Sequence, residues 1–415
     1  MSLRLTDVSS GGGGDPAILL LPPEITVDIF HHCLPSPTPG FESHSWPSPQ
    51  EAPLLLAQVC CQWRDISLST PQLWASIAFE KGAIELLELW LSRTGNHPLT
   101  ISLRAVDEQR AFKFMQAIIR HNSRWQNVHL VLPLIAIRQL ELSCFPCLTR
   151  LALWTVGAGQ WTRAPPVTIQ GSPLLRYADI HFLPQFNLPL EQLTSLHFHH
   201  SLGVAQTVAI LQRCPNLLEL SSLNLGIGST PVFPPVELRF LRSLKTDDTR
   251  LFSSLTLPHL ELLEILAAID TAADALRPLI ARSSCDLKFL SLRVHKATVP
   301  QLQRLLRTTP SVVHLKLDRA WLEFQMQVLQ GADILPRLQH LEIYYHGPGH
   351  HYRPLLDMLR WRQGQGIKSC KLCQRSMSLA PPPADTLAEF CALAKAGLQI
   401  RVSRDQSVLL DTLQG

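Results

Sequence analysis

The sequence lacks several features that would each point to a specific class of protein. The start has no apolar core of a signal peptide, and the longest early apolar run, residues 17–21, is far shorter than the roughly 20 residues that span a bilayer. The formal net charge of the 415 residues is only +4, with no dense lysine and arginine cluster. We therefore expect a cytoplasmic or nuclear protein that binds neither nucleic acid nor a membrane.

Motifs of the common enzyme classes are also missing. The sequence contains no GxSxG, no HExxH and no GxGxxG after a strand, and the glycines at 11–14 lack the Lys-Ser/Thr of a phosphate-binding loop. We therefore expect a protein that is not an enzyme and uses no cofactor. An enzyme hidden in an α/β body is the alternative, and it would need a deep pocket with converging titratable groups.

Cysteine and histidine are present without a regular metal-binding pattern. The ten cysteines are scattered, which in an intracellular chain predicts free thiols rather than disulfides. Two pairs have CxxC spacing, Cys144/Cys147 and Cys370/Cys373, but more than 200 residues separate them, and zinc would need both pairs or one pair with histidines. Histidines cluster at 197–200 and 346–351, which suggests metal binding or a pH response as an alternative. We expect no metal site.

Apolar residues make up 46% of the chain, enough to bury a large core. Residues 1–16 are polar and contain four consecutive glycines, which predicts a disordered tail. The block at 17–80 starts with a short amphipathic helix that places Ile25, Ile29 and Phe30 on one side. Five prolines in 35–50 predict an irregular insertion, after which a second helix is expected. Its single apolar stripe comprises Leu55, Leu56, Val59, Cys60, Trp63 and Ile66.

Beyond residue 80 the pattern changes to helices followed by strands. Two such units are predicted, with strands near 99–103 and 128–132. A triplet spaced LxxLxL, or a close relative, then recurs every 18 to 27 residues: Leu148/Leu151/Leu153, Leu175/Ala178/Ile180, Leu193/Leu196/Phe198, Leu260/Leu263/Ile265, Leu287/Leu290/Leu292, Val312/Leu315/Leu317 and Leu338/Leu341/Ile343, with weaker copies from Leu217 and Leu241. This period is typical of leucine-rich repeats, in which each copy contributes one strand and a returning arm.

A proline two positions before the first residue of the triplet recurs in six copies and predicts a turn into each strand. If the triplets point inward, the residues between them face a partner. Candidate substrate-binding residues are therefore Trp154, Tyr177, His199, Phe289, Arg293, Lys316, His340 and Tyr344. The alternative for each of them is a solvated side chain or a lateral contact that binds no partner. The neighbouring positions His181, His197, His314, Asp318 and Glu342 belong to the same pattern.

The block at 17–80 resembles an F-box of the type found in large fungal families. The resemblance lies in LPPEI at 21–25, in Val59, Cys60, Trp63, Arg64 and Ile66, and in PQLW at 71–74. It extends through the helix and strand stretch at 82–132, while the insertion at 35–50 lengthens the connection between the two helices. The fold that follows is α/β: a small α-helical F-box, then a leucine-rich-repeat-like solenoid over 81–415 with one parallel curved sheet.

The resemblance implies a substrate-recognition subunit of an SCF (Skp, cullin, F-box) ubiquitin ligase. Its partners would be the Skp adaptor, a cullin through that adaptor, and an unknown target protein. Adaptor-binding residues would be Leu21, Pro22, Pro23, Glu24, Ile25, Ile29, Leu55 and Val59, and the core of the box would comprise Phe30, Cys60, Trp63, Ile66, Leu73 and Trp74. Two alternatives stay open: a scaffold that delivers nothing for ubiquitination, and an ordinary helical hairpin packed on the repeats.

Overall fold

The computed structural model describes residues 17–34, 47–157, 165–199, 202–223, 235–294, 297–320, 322–345, 352–374, 382–404 and 407–411. The predicted tail, most of the proline-rich insertion, His200 and the histidines at 346–351 lie outside the described residues. The chain divides into two compact units, Met1–Leu174 and Leu175–Gly415. Both combine helices with parallel strands, so the predicted α/β class is confirmed at that level.

The first unit starts with helices and continues as alternating helices and strands. Its helices are α1 (Pro23–Cys33), α2 (Cys61–Ser69), α3 (Ile84–Arg93), α4 (Glu108–Ile119) and α5 (Leu134–Ile137). Its strands are β1 (Ser76–Phe79), β2 (Leu99–Arg104), β3 (Trp125–Pro133), β4 (Arg150–Val156) and β5 (Val167–Thr168). Strands β1 to β4 pair in parallel in chain order. The two predicted helix and strand units are therefore confirmed, whereas β1 was not predicted.

The second unit is a longer ladder of strands. The strands are β6 (Tyr177–Ile180), β7 (Phe186–Asn187), β8 (Ser195–Phe198), β9 (Glu219–Ser222), β10 (Val236–Glu237), β11 (Ser243–Thr246), β12 (Leu255–Thr256), β13 (Leu262–Ile265), β14 (Phe289–Arg293), β15 (His314–Ala320), β16 (His340–Tyr345), β17 (Ser369–Gln374), β18 (Gln399–Arg404) and β19 (Ser407–Asp411). The ladder order is β6-β8-β9-β11-β13-β14-β15-β16-β17-β18-β19, and every pair is parallel except the last. Strands β10 and β12 pair with each other beside it.

The arms that link these strands differ along the ladder. From β13 to β18 each link contains an α-helix: α7 (Ile269–Ser283), α8 (Val299–Arg307), α9 (Leu322–Val328), α10 (Arg353–Gln363) and α11 (Ala384–Lys395). Between β6 and β13 the described links contain one α-helix, α6 (Val204–Leu211), together with 3-10 turns and the short strands. The last of these links leads from α11 into β18, the final parallel strand of the ladder. No described helix is long and apolar enough to cross a membrane.

The recurring proline marks a turn in every copy that carries it. Pro146, Pro173, Pro215, Pro258, Pro310 and Pro336 each open a turn just before a strand. In one copy the amide of Leu148 donates to the carbonyl of Phe145 at 3.2 Å, and in another Leu338 donates to Leu335 at 3.1 Å. A fixed proline φ suits the second position of such a four-residue turn. The expected role of these prolines is confirmed.

The side chains of the seven complete triplets are buried: Leu148/Leu151/Leu153 on and before β4 of the first unit, and the other six in the ladder. None of them is more than 1% exposed, and the weaker copies at Leu217 and Leu241 are buried as well. Neighbouring strands pair in register, so that Leu290, Leu315 and Leu341 occupy equivalent positions on β14, β15 and β16. A triplet that the sequence analysis overlooked, Ile367/Cys370/Leu372, is buried in the same way on and before β17.

The prediction of one continuous second helix was wrong. Residues 56–58 form a 3-10 turn, Cys60 is extended with φ −156° and ψ 172°, and α2 begins only at Cys61. The Sγ atom of Cys60 accepts a hydrogen bond from the amide of Trp63 at 3.4 Å and thereby caps the helix. The predicted apolar stripe is therefore split: Leu56 is buried, whereas Leu55 and Val59 are exposed.

Candidate binding surfaces

Aromatic side chains hold the N-terminal helices together. The rings of Phe30 on α1 and Trp63 on α2 meet edge to face, with centroids 4.9 Å apart. The indole of Trp74 donates to the carbonyl of Ser67 at 2.8 Å, and the indole of Trp90 donates to the carbonyl of Trp74 at 2.9 Å. Of the residues predicted to form the core, Phe30, Leu73 and Trp74 are buried, while Cys60, Trp63 and Ile66 are half-buried.

The residues predicted to bind the adaptor lie at the surface of the same block. Ile25 is 47% exposed, Leu55 45% and Val59 57%, and Leu20, just before the predicted set, is 71% exposed. Leu21 and Ile29 are half-buried, and Pro22, Pro23 and Glu24 are exposed. We call Leu20, Leu21, Ile25, Leu55 and Val59 the apolar N-terminal surface. Exposed aliphatic side chains mark a candidate binding site where they lie together.

Hydrogen bonds to the backbone bring the segments that carry this surface together. The Nε2 atom of Gln62, at the start of α2, donates to the carbonyl of Leu19 at 3.2 Å. The Nε atom of Arg64 donates to the carbonyl of Ala57 at 2.9 Å. The segment before α1 and the 3-10 turn before α2 therefore both lie against the start of α2.

A second candidate surface lies on the ladder of the second unit. We call the side chains that alternate with the inward residues on β6 to β18 the strand face. In-register pairing aligns these side chains in rows across the strands, so that Lys316, Glu342 and Lys371 lie side by side on β15, β16 and β17. Rows of this kind bring groups from distant parts of the sequence to neighbouring positions.

The part of the strand face on β6 to β9 carries histidine, serine and carboxylate groups. The Nε2 atom of His199 lies 2.9 Å from Oδ1 of Asp179. The Oγ atom of Ser195 lies 3.0 Å from Nε2 of His197 and donates to Oε2 of Glu219 at 3.2 Å. Burial lowers the pKa of His197, although Asp179 and Glu219 partly offset that effect. His197 is therefore neutral at pH 7.

A second cluster on β15 to β17 surrounds Glu342. Its carboxylate lies 3.3 Å from Nε2 of His314 and 3.7 Å from Nζ of Lys371, and it accepts a hydrogen bond from the hydroxyl of Tyr344 at 3.2 Å. Interaction with His314 first, and then with Lys371 and Tyr344, lowers the pKa of Glu342 to about 2, against the opposing effect of burial. Glu342 is therefore ionised at neutral pH.

The eight predicted substrate-binding residues all lie half-exposed on strands or at their ends, as the alternating pattern predicts. Phe289, Arg293, Lys316, His340 and Tyr344 lie together on β14 to β16. Tyr177 and His199 lie toward opposite ends of the neighbouring strands β6 and β8, whereas Trp154 belongs to the first unit. The sequence analysis missed Lys371, because the strand that carries it has a cysteine in place of the second leucine.

The cysteine pairs do not form a metal site. On β17 Cys370 points inward in the triplet position, and Cys373 lies on the opposite face at an odd spacing from it. Burial raises the pKa of the Cys370 thiol to about 12, which disfavours the thiolate that zinc requires. Among the described residues, no three histidine, cysteine or acidic side chains are grouped to hold an ion.

Comparison with known proteins gives no information about these two surfaces. The sequence matches no protein-family model and no curated protein.

Proposed function

We propose that the chain is a substrate receptor of an SCF-type ubiquitin ligase. The apolar N-terminal surface binds the Skp adaptor, and the strand face binds the protein to be ubiquitinated. The body then acts as a leucine-rich-repeat-like solenoid with a curved sheet. The chain itself performs no chemistry, because ubiquitin transfer takes place on other subunits.

One observation carries this proposal: of the eight residues that resemble the adaptor-binding part of an F-box, six are exposed and two are half-buried, whereas those that resemble its core are buried or half-buried. A hairpin that only packs on the repeats would instead turn its aliphatic residues inward. Leaving Ile25 and Val59 in water forgoes about 1 kcal/mol or more for each side chain. A partner that covers them recovers this free energy.

The adaptor interaction is tested by measuring binding of the purified full-length chain to an immobilised Skp adaptor. We expect the double variant Ile25→Ala/Val59→Ala to weaken binding by about 2 kcal/mol, or roughly thirtyfold. The same two residue types are exposed elsewhere in the first unit: Val106 is 69% and Ile135 is 56% exposed. The matched control Val106→Ala/Ile135→Ala should bind the adaptor as the wild type does.

Two outcomes of this measurement contradict the proposal. A folded wild-type chain that binds no adaptor excludes an F-box, and equal weakening by both double variants indicates nonspecific apolar adhesion. If the adaptor binds, deleting the chain in cells should lengthen the half-life of at least one protein bound by the strand face. Unchanged half-lives would instead favour the scaffold alternative.

A further inference from the structure

Aromatic rings form one row of the strand face on β14, β15 and β16. The ring centroids of Phe289 and His314 lie 4.7 Å apart, and those of His314 and His340 lie 5.7 Å apart. The Nδ1 atom of His340 lies 2.8 Å from Oγ of Ser369 on β17, which continues the row. Burial and the nearby His314 and Lys368 lower the pKa of His340. This row is therefore a largely aromatic strip.

A cationic row runs directly beside the aromatic strip. Lys316, Glu342, Lys371 and Arg401 are register neighbours on β15 to β18. The Nζ atoms of Lys316 and Lys371 lie 5.3 Å and 5.7 Å from the ring centroid of Tyr344, one on each neighbouring strand. The ring of Tyr344 thus positions two ammonium groups through cation–π contacts.

The positive charge of this row is only partly compensated. Glu342 already interacts with Lys371 and His314, and Arg401 pairs with Asp411 at 3.6 Å, but among the described residues Lys316 makes no ion pair. The Nε atom of Arg293, one strand before Lys316, is buried without a hydrogen-bond partner within the described part of the chain. A buried guanidinium donor without an acceptor is unfavourable, and no ion pair among the described residues balances the charge of Arg293.

The strand face changes sign along the ladder. On β6 to β13 the charged side chains at outward positions are Asp179, Glu219, Glu264 and Lys245, and on β14 to β18 they are Arg293, Lys316, Lys371, Arg401, Asp318 and Glu342. Acidic residues thus dominate the first part and basic residues the second. Lys245 is moreover paired with Glu264 at 3.6 Å. The uncompensated cations therefore lie beside the aromatic strip.

We infer that the face of β14 to β18 binds an extended acidic segment that carries aromatic or aliphatic side chains. This inference rests on the proposed function only in taking the strand face as the substrate site, and it names the chemistry of that substrate. Carboxylates of the segment pair with Lys316, Lys371 and Arg293. Its apolar side chains pack against the strip of Phe289, His314 and His340.

The geometry sets the length and class of this ligand. Five neighbouring strands span about 20 Å, which an extended peptide covers with about six residues. A nucleic acid fits the same surface less well, although its bases could stack on the rings. Its continuous phosphate charge would meet Asp318 and Glu342 within the site and the acidic part of the face beyond it.

The experiment is a selection of random peptides of about 12 residues, twice the length of the site, displayed on phage against the full-length chain. Peptides retained by the wild type and rejected by Lys316→Glu/Lys371→Glu are sequenced and synthesised, and their binding is measured by fluorescence anisotropy. We expect them to be rich in aspartate or glutamate next to aromatic residues. The double variant should weaken their binding by about tenfold or more, and raising the salt should weaken it in the wild type.

Lys245→Glu provides the control, because Lys245 lies in the same row on β11 and the substitution is the one made at each of the two lysines. It should bind the selected peptides as the wild type does. The inference is overturned if selected peptides are neutral or basic, if none depends on the two lysines, or if Lys245→Glu weakens binding equally. Tighter binding of a single-stranded oligonucleotide than of any selected peptide would assign the face to nucleic acid instead.

Measuring the binding of a phosphorylated and a carboxylate version of one selected peptide distinguishes phosphate from carboxylate as the source of the negative charge.

The failure of this inference is also distinguishable from failure of the proposed function. Adaptor binding of Lys316→Glu/Lys371→Glu should equal that of the wild type, because the substitutions lie in the second unit and the adaptor surface lies in the first. If the wild type binds the adaptor but retains no acidic peptide that depends on Lys316 and Lys371, only the substrate chemistry is overturned.

Discussion

The N-terminal block and the strand ladder use the same aliphatic residues in opposite ways. Ile25 on α1 is 47% exposed, whereas Ile343 on β16 is completely buried, like the rest of its triplet. The ladder has to bury its aliphatic residues because one strand alone cannot stay folded and is stabilised by its neighbours. The block is held together by aromatic rings with Leu56 and Leu73, and Ile25, Leu55 and Val59 remain exposed. The difference separates residues that stabilise the fold from residues available for binding.

The largest effect on stability should come from shortening a buried side chain of the ladder. Leu341→Ala removes a side chain that is 1% exposed between β15 and β17, and we expect it to lower the free energy of unfolding by about 3 to 4 kcal/mol. Ile25→Ala should lower it by less than about 1 kcal/mol, because Ile25 is exposed. Urea denaturation of both variants measures the difference. Similar losses of unfolding free energy in both variants would show that the block also depends on Ile25 for stability. That result would contradict the difference between the block and the ladder.

The next effect concerns a charged residue that is buried in the ladder. Arg362 on α10 is 2% exposed and donates to the carbonyls of Leu329 at 2.7 Å, Leu335 at 3.0 Å and Ile334 at 2.5 Å. Burial lowers the pKa of its guanidinium to about 10. Arg362→Met keeps an unbranched apolar stem but leaves these carbonyls unsatisfied, and we expect a loss of about 2 to 3 kcal/mol.

Thermal unfolding of Arg362→Met and of Arg360→Met, on the same helix and more exposed, provides the measurement with its control. Arg360 makes surface ion pairs with Asp357 and Glu389, which contribute little. Arg360→Met should therefore lower the melting temperature much less than Arg362→Met. An equally small effect of Arg362→Met would mean that water replaces the guanidinium at the carbonyls.

A smaller effect on stability is expected from Glu342, whose side chain is partly buried. Its pKa is about 2 in the folded chain, below the ordinary value of 4.5, so the folded state binds its proton less readily. The stabilisation is therefore complete above about pH 4.5 and is lost as the pH falls toward 2. Because the side chain is 23% exposed, we expect Glu342→Gln to lower the free energy of unfolding by about 1 to 2 kcal/mol at pH 7.

Chemical denaturation at a series of pH values should show the difference between wild type and Glu342→Gln shrinking below pH 4.5. The matched variant Glu264→Gln, which removes the carboxylate of one exposed ion pair with Lys245, should have a smaller effect at neutral pH. A difference between wild type and Glu342→Gln that stays constant from pH 7 to pH 2 would contradict the assigned role of the carboxylate.

The smallest expected effect lies in the N-terminal block. Cys60→Ala removes the acceptor that caps α2 and should lower the free energy of unfolding by about 0.5 to 1 kcal/mol, whereas Cys60→Ser should retain the cap. Urea denaturation measures both variants. Equal stability of the alanine and serine variants would indicate that the extended backbone at Cys60, and not its side chain, ends the preceding turn.

The ladder could be predicted from the sequence to a large extent. The triplets and the prolines before them indicated where the strands lie, because each strand has to bury the same three positions against its neighbours. The alternation also placed Phe289, Lys316 and Tyr344 on the opposite, half-exposed face. Strand β17 was not predicted, because a cysteine fills a leucine position of the triplet there. The identification of an F-box and of an adaptor stays a prediction.

Other features depend on contacts that no local pattern contains. The spacing around Cys60 fits one helix, yet the backbone is extended there, because the cap and the packing of Leu56 outweigh helical periodicity. Strand β1 is four residues long and is stabilised by pairing with β2, which begins more than 20 residues later. From the sequence alone, Arg362 would be expected at the surface. Only the structure shows the carbonyls that surround it.

The sequence by itself determined which residues are buried in the ladder, because hydrophobic burial follows the alternation of a strand and the period of the repeat. Only the tertiary structure decided which residues meet across strands. Lys316, Glu342 and Lys371 lie far apart in the chain, and in-register pairing of β15, β16 and β17 brings them together. Charge and cation–π interactions act over a few ångströms between side chains, so the chemistry of the strand face is set by register rather than by local sequence.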